Sequence, residues 1–149
     1  PHEKVYLFDK FRDHYRDNML RFRDDCTKAA EGSGVRVCIE NWHAYTDYQV
    51  PVLDELLRSP AFGLTYDVGH NHCRKGQDEP VILARKEHLH HMHLHDVKDK
   101  TKDHQALGTG QLDKFKYLSL AKERDCSVVV ETKTVEGLCQ SIQWLRNHL

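Results

Sequence analysis

Four short strand-like runs, each separated from the next by a stretch of helical periodicity, constrain this 149-residue chain more than any other feature. The runs are VRVCIEN (35–41), AFGLTYD (61–67), HLHHMHLHD (88–96) and CSVVVET (126–132). Their length and their β-branched or alternating apolar content are those of strands. Residues 5–31 carry Phe8, Phe11, Tyr15, Met19, Phe22, Cys26 and Ala29 at steps of three and four, which predicts a one-faced helix closed by Gly32-Ser33-Gly34. Further helices are expected at 49–58, with Pro51 in the first turn, at 79–87, at about 113–124 and at 135–148. A loop rich in Lys, Asp and Gly is expected over 97–112. Strands alternating with helices at this spacing predict an α/β fold with a parallel sheet. No Pro-, Gly- or Ser-rich linker divides the chain, so residues 1–149 read as a single domain.

Composition narrows the function classes. Charged residues are 30% of the chain and nearly balanced, 22 basic against 23 acidic, for a net charge of −1. That leaves no basic footprint for nucleic acid and no polybasic membrane signal, so neither partner is expected. No apolar run approaches the roughly 20 residues that span a bilayer, and PHEKVYLFDK lacks the shape of a signal peptide. Five scattered cysteines without a CxxC pair read as reduced, small buried hydrophobes, and a cytoplasmic location is expected. The anomaly is twelve histidines, five of them inside HLHHMHLHD.

Strand parity sorts them. Period-2 alternation sends Glu40, Asp67, His93 and Glu131 to one side of the sheet. Ile39, Tyr66, Met92, Leu94 and Val130 go to the other, toward the covering helices. His91 and His95 share the parity of His93, one deeper and one nearer the mouth. His88 and His90 fall on the other parity and carry no assigned chemistry. Taken singly, a carboxylate at a strand end is more often a helix cap or a surface pair, and an interior histidine a hydrogen-bonded core residue. Four such groups on four successive strands, at the carboxyl ends where α/β proteins place their sites, point to a shared divalent metal. Three oxygen donors and one imidazole suit Mn²⁺, Mg²⁺, Co²⁺ or Zn²⁺ and lean away from structural zinc.

The ordered set IEN (39–41), YDVGH (66–70), HLHD (93–96), HQALGTG (104–110) and VVVET (128–132) resembles the xylose isomerase-like TIM-barrel superfamily. That superfamily includes sugar and sugar-phosphate isomerases and epimerases, inosose dehydratases and endonuclease IV-type AP endonucleases. The resemblance implies metal ligation by Glu40, Asp67, His93 and Glu131. It also implies that Glu40 and Glu131 exchange protons with the two faces of a cis-enediolate formed from a metal-held sugar or sugar phosphate. His70 would bind substrate oxygens and His104 would face the pocket, while His95, by its parity and its place near the mouth, would line the pocket and bind substrate or else stand behind a ligand. Lys98, Lys100 and Lys102 read as a solvated loop face, with phosphate neutralisation as the sharper alternative.

Several positions depart from that pattern. Asp99 stands where ketose epimerases have an arginine six residues after the ligand histidine, and Thr46 where they have a second glutamate. Lys102 stands where the endonucleases have a metal-binding aspartate. Two other functions therefore stand beside the isomerase reading: a metal-binding or assembly domain without turnover, and an endonuclease IV-like nuclease. A (β/α)₈ barrel needs about 250 residues, and four β-α units are present here. The chain therefore reads as the C-terminal half of a TIM barrel. The other half would come from a second copy in a homodimer, from a separate chain, or would have been lost to cleavage.

Overall fold

The computed structural model of the chain describes residues 10–99 and 101–149. The start of the predicted first helix, with Phe8, and Lys100 lie outside the described residues. In chain order the elements are α1 (Arg12–Ala30), β1 (Val37–Glu40), α2 (Gln49–Leu57), β2 (Phe62–Asp67), α3 (Val68–Cys73), α4 (Glu79–Leu83), β3 (Leu89–Leu94), β4 (Asp96–Lys98), β5 (Lys102–Gln105), α5 (Lys114–Arg124), β6 (Ser127–Val130) and α6 (Val135–His148). A single 3₁₀ turn, Lys86–His88, leads into β3. Packing density divides the described chain into two compact units, one of residues 10–37 with 45–63 and one of residues 38–44 with 64–149.

In the first unit α1 lies on α2. Val52, Leu53, Leu56 and Leu57 bury one face of α2, the spacing of an amphipathic helix. Tyr15 meets Tyr48 and Phe22 meets Phe62 edge to face, at centroid distances of 5.6 and 5.8 Å. Ion pairs from Arg12 to Asp47 and from Arg16 to Glu55 flank them. The predicted apolar stripe of α1 is nevertheless only partly covered, and no residue of that helix is fully buried. The reason is length: α1 has 19 residues and α2 only 9, so at about 1.5 Å per residue α2 reaches along about half of α1.

The second unit is built on the sheet, whose strand order is β1-β2-β3-β6. β2 and β3 pair in parallel with Asp67 opposite His93, and β3 and β6 pair in parallel with Leu94 opposite Val130. The Glu131 N–H donates to the Leu94 carbonyl at 3.1 Å and extends the last ladder by one residue. Leu64, Tyr66, Met92 and Leu94 are fully buried, as strand parity predicts, with Ile82, Leu107, Tyr117 and Ala121 among the core residues of this unit. The sheet is open, with β1 and β6 at its edges.

Two elements differ from the sequence expectation. Helix α3 follows β2 without a loop, because the Asp67 carboxylate caps it by accepting from the His70 N–H at 2.6 Å. The predicted loop at 97–112 contains the antiparallel hairpin β4–β5, whose polar strands carry no apolar alternation to betray them. The cysteines differ in burial: no disulfide joins them, as reduced thiols require, but none is fully buried. Among the described residues, no helix is long and apolar enough to cross a membrane.

Candidate metal centre

Each strand of the sheet delivers one polar group at its carboxyl end. Glu40 is the last residue of β1, Asp67 the last of β2, His93 the fifth residue of the six in β3, and Glu131 follows β6 directly. They converge on one atom. His93 Nδ1 lies 3.5 Å from Glu131 Oε2, 3.6 Å from Glu40 Oε1 and 3.7 Å from Asp67 Oδ2. These separations exceed the roughly 2.7–3.2 Å of a hydrogen bond, and His93 Nδ1 is buried without a hydrogen-bond partner. Ligand atoms about 2.1 Å from a divalent ion stand roughly 3.0–3.4 Å apart in octahedral or tetrahedral geometry. The spacing and the orphaned nitrogen therefore fit donors arranged around a cation better than donors bonded to one another. Glu40, Asp67 and His93 offer atoms all within 4.8 Å of one another, as do Asp67, His95 and Glu131.

The carboxylates differ in access. The Asp67 side chain is 0% exposed, whereas those of Glu40 and Glu131 are 32% and 39% exposed. Burial pushes the Asp67 carboxyl up, but His93, His95 and the His70 amide outweigh it and hold the group well below the usual carboxylate range. His93 is raised above the ordinary imidazole value, first by Asp67, with burial opposing and Glu40 and Glu131 adding to the rise. These acidic neighbours thus favour positive charge in the place a metal cation would take.

The backbone that carries Asp67 is locked from β1's end. The Asn41 side chain is fully buried; its Nδ2 donates to the Asp67 carbonyl at 2.9 Å and its Oδ1 accepts from the Asp67 N–H at 2.7 Å. The motif IEN includes this residue, but no periodicity or spacing around it assigns it a role. Trp42 also went unnoticed: it is 59% exposed and stands edge-on to His70, with centroids 4.8 Å apart. An exposed tryptophan directly after two site residues was the available signal.

The three histidines expected to bind substrate occupy different places. His70 joins the site, its Nδ1 3.4 Å from Glu40 Oε1 and 3.3 Å from Asp67 Oδ2. His104 also joins it, with Nε2 3.4 Å from Glu131 Oε2. His104 has φ 53, a left-handed conformation uncommon for a residue with a Cβ. His95 does not line open space: it is 0% exposed and lies beneath the site, stacked on His104 at 4.2 Å. Its expected pocket-lining position is corrected by the α3 segment, where Gly69 packs against the ring so closely that a Cβ there would fall 1.9 Å from His95 Cε1. His91 is the deeper residue of the row, paired with the Ser127 hydroxyl at 2.6 Å. Of the loop lysines, Lys102 pairs with Asp99 on the surface.

A family model for the xylose isomerase-like TIM barrel matches residues 2–148. The chain belongs to that family. No curated protein matches it by sequence. Among solved structures, this xylose isomerase-like chain is similar to a D-tagatose 3-epimerase-like protein, with TM-score 0.74 and 21% identity over 99% of this chain and 59% of that one. It is also similar to D-allulose 3-epimerase from Methylomonas sp. in complex with D-allulose, with TM-score 0.62 and 18% identity over 93% and 55%. A third is 3-keto-D-glucoside 4-epimerase from E. coli, with TM-score 0.64 and 14% identity over 97% and 57%. The four-stranded parallel α/β sheet is thus the fold of part of a TIM barrel, and the chain spans between half and three-fifths of the structures it matches.

Proposed function

We propose that the chain supplies the metal-binding half of a divalent-metal-dependent sugar or sugar-phosphate isomerase or epimerase. The observation that carries this reading is the convergence of Glu40, Asp67 and Glu131 on the unbonded His93 Nδ1 at 3.5–3.7 Å. The likeness to sugar epimerases among solved structures supports the substrate class. Glu40, Asp67, His93 and Glu131 would hold Mn²⁺, Mg²⁺, Co²⁺ or Zn²⁺, which would polarise a substrate carbonyl and acidify the neighbouring C–H. The division of labour follows from access. Asp67, fully buried and hydrogen-bonded, acts only as a ligand. Glu40 and Glu131 are part-exposed and reach the centre from opposite edges of the sheet. One takes the proton from the carbon beside the carbonyl, the electron pair moves into a cis-enediolate, and the other returns a proton to the opposite face for epimerisation or to the adjacent carbon for isomerisation. His70 and His104 face the same space and would hydrogen-bond substrate oxygens.

The test uses the full chain loaded with Mn²⁺ or Co²⁺ and offered ketoses and inososes in deuterated water. Deuterium should enter the carbon beside the carbonyl, and Glu131→Gln should stop that exchange. Exchange that survives in both Glu131→Gln and Glu40→Gln would sink the assignment. A second reading, metal binding without turnover, is favoured by Asp99, which turns to Lys102 at 3.1 Å on the surface where ketose epimerases carry an arginine; bound metal without exchange supports it. We extend the proposal to assembly: the remaining strands of the barrel come from a second copy of the chain or from a separate segment, and sedimentation of the isolated chain distinguishes a dimer from a monomer.

A further inference from the structure

Both ring nitrogens of His95 are engaged by the protein. Its Nδ1 lies 2.8 Å from the backbone nitrogen of His104, and a backbone N–H can only donate. The Asp96 carbonyl stands farther from Nδ1, at 3.5 Å, beyond a good hydrogen bond, so Nδ1 is the acceptor and the ring proton is left on Nε2. That atom stands 3.1 Å from Asp67 Oδ1 and 3.3 Å from Oδ2, so the Nε2–H donates to the carboxylate. Asp67 Oδ1 also receives the His70 N–H at 2.6 Å, whereas Oδ2 is the oxygen nearest His93 Nδ1. The two oxygens are thus shared unevenly: Oδ1 takes the closer contacts of both N–H donors, whereas Oδ2, 3.3 Å from His95 Nε2 and from His70 Nδ1, is the one turned toward His93.

The ring cannot turn out of this arrangement. It is wholly buried, stacked on His104 with an interplanar angle of 9°, and closed from below by Gly69, the residue type that leaves the ring its space. The donor that sets the tautomer comes from β5, and it points at His95 because His104 adopts φ 53. The nitrogens of His70, His95 and His104 lie within 4.8 Å of one another and look like a second metal trio. With one nitrogen accepting and the other donating, His95 has no lone pair to give.

We propose that His95 is a positioning residue: the β4–β5 hairpin, through the His104 amide, fixes His95 as the Nε2–H tautomer, and that N–H holds the Asp67 carboxylate in the orientation that turns Oδ2 toward the metal. The inference rests on the metal-centre reading above, and the experiment separates the two. Nitrogen-15 NMR of the metal-free full chain should show His95 as the Nε2–H tautomer; the Nδ1–H form would overturn the proposal whatever the metal does. Titration with Mn²⁺ then tests its consequence. His95→Ala should weaken binding by roughly 10- to 100-fold, the usual loss for a partner behind a ligand. Gln can place an amide N–H where Nε2 stands and should restore most of that affinity, while Asn, too short to reach Asp67, should not. Equal losses in Ala, Gln and Asn variants that remain folded by circular dichroism would reduce His95 to packing and overturn the proposal. A wild-type chain that binds no Mn²⁺ but shows the Nε2–H tautomer would instead defeat the metal reading, and with it the positioning role.

Discussion

His93 Nδ1 and Glu131 Oε2 face each other at 3.5 Å across the β3–β6 boundary without a hydrogen bond between them. The same nitrogen is equally detached from Glu40 and Asp67. Three acidic neighbours around one imidazole make a strong preference for positive charge there, which either a proton or a metal ion can satisfy.

That competition gives a pH dependence with a definite sign. His93 is held above its ordinary value of about 6.5. In the metal-free protein its contribution to stability is complete below that ordinary value and is lost as pH rises through the raised one. A metal needs the unprotonated ring, so binding expels the proton, and apparent affinity should climb with pH over the same interval, by up to about tenfold per unit. Calorimetric titrations with Mn²⁺ in two buffers of different ionisation enthalpy should report a proton released, and His93→Ala should remove both the release and the tight binding. Affinity independent of pH through that range would contradict the site.

The parity argument worked where it relied on backbone geometry. Glu40, Asp67, His93 and Glu131 meet because residues at the carboxyl ends of neighbouring parallel strands must, and the alternation in HMHLHD fixed which histidine joined them. The same argument left His95 open between lining the pocket and standing behind a ligand, because parity says which side a residue takes and nothing about what lies above it. Gly69, 26 positions earlier, and the left-handed His104 close over the ring, and both are tertiary facts. Asn41 was illegible for a related reason: its role is to hydrogen-bond the backbone of another strand, which leaves no mark on periodicity.

Position 69 is predicted to tolerate no side chain. A Cβ there would sit 1.9 Å from His95 Cε1 and 2.4 Å from Nδ1. The ring has nowhere to go, being stacked on His104 on another side. Gly69→Ala should cost about 1–3 kcal/mol, as overpacked cores do, and should weaken Mn²⁺ binding because any relief moves His95 off Asp67. Thermal unfolding and metal titration of the variant check the two parts separately. Wild-type stability in this variant would mean that α3 gives way freely.

Trp42 is predicted to act on substrate affinity rather than on turnover. It is largely exposed and stands edge-on to His70 at the site, where an indole face suits the C–H side of a sugar. A contact of this kind is worth about 0.5–1.5 kcal/mol, so Trp42→Ala should raise KM roughly 2- to 10-fold with kcat little changed. Steady-state kinetics on any substrate that shows exchange will decide it. A loss confined to kcat would place Trp42 in the chemistry instead.

Asp96 shows how the hairpin beneath this site is held, and it yields the sharpest stability prediction. Its buried carboxylate accepts the Val97, Gly108 and Leu112 N–H groups at 3.0–3.1 Å and the Lys114 ammonium at 2.8 Å. It thereby ties the start of β4 to the glycine turn and to the first residue of α5. The Lys114 side chain is only 11% exposed. Asp96→Ala would leave that ammonium with the Leu112 carbonyl and the face of Trp144, 5.6 Å to the ring centroid, and would orphan three amides. The expected cost is about 3–5 kcal/mol, the range for breaking a buried pair from one side. Adding Lys114→Met removes the stranded charge and should recover part of the loss, because a buried ion pair replaced by apolar groups is often close to neutral. Recovery should stay incomplete, since the amides of Val97, Gly108 and Leu112 still lack their acceptor. Denaturant unfolding of the single and double variants measures both steps. Full recovery in the double variant would show that the charge pair, and not the amide cradle, is what holds the turn against β4.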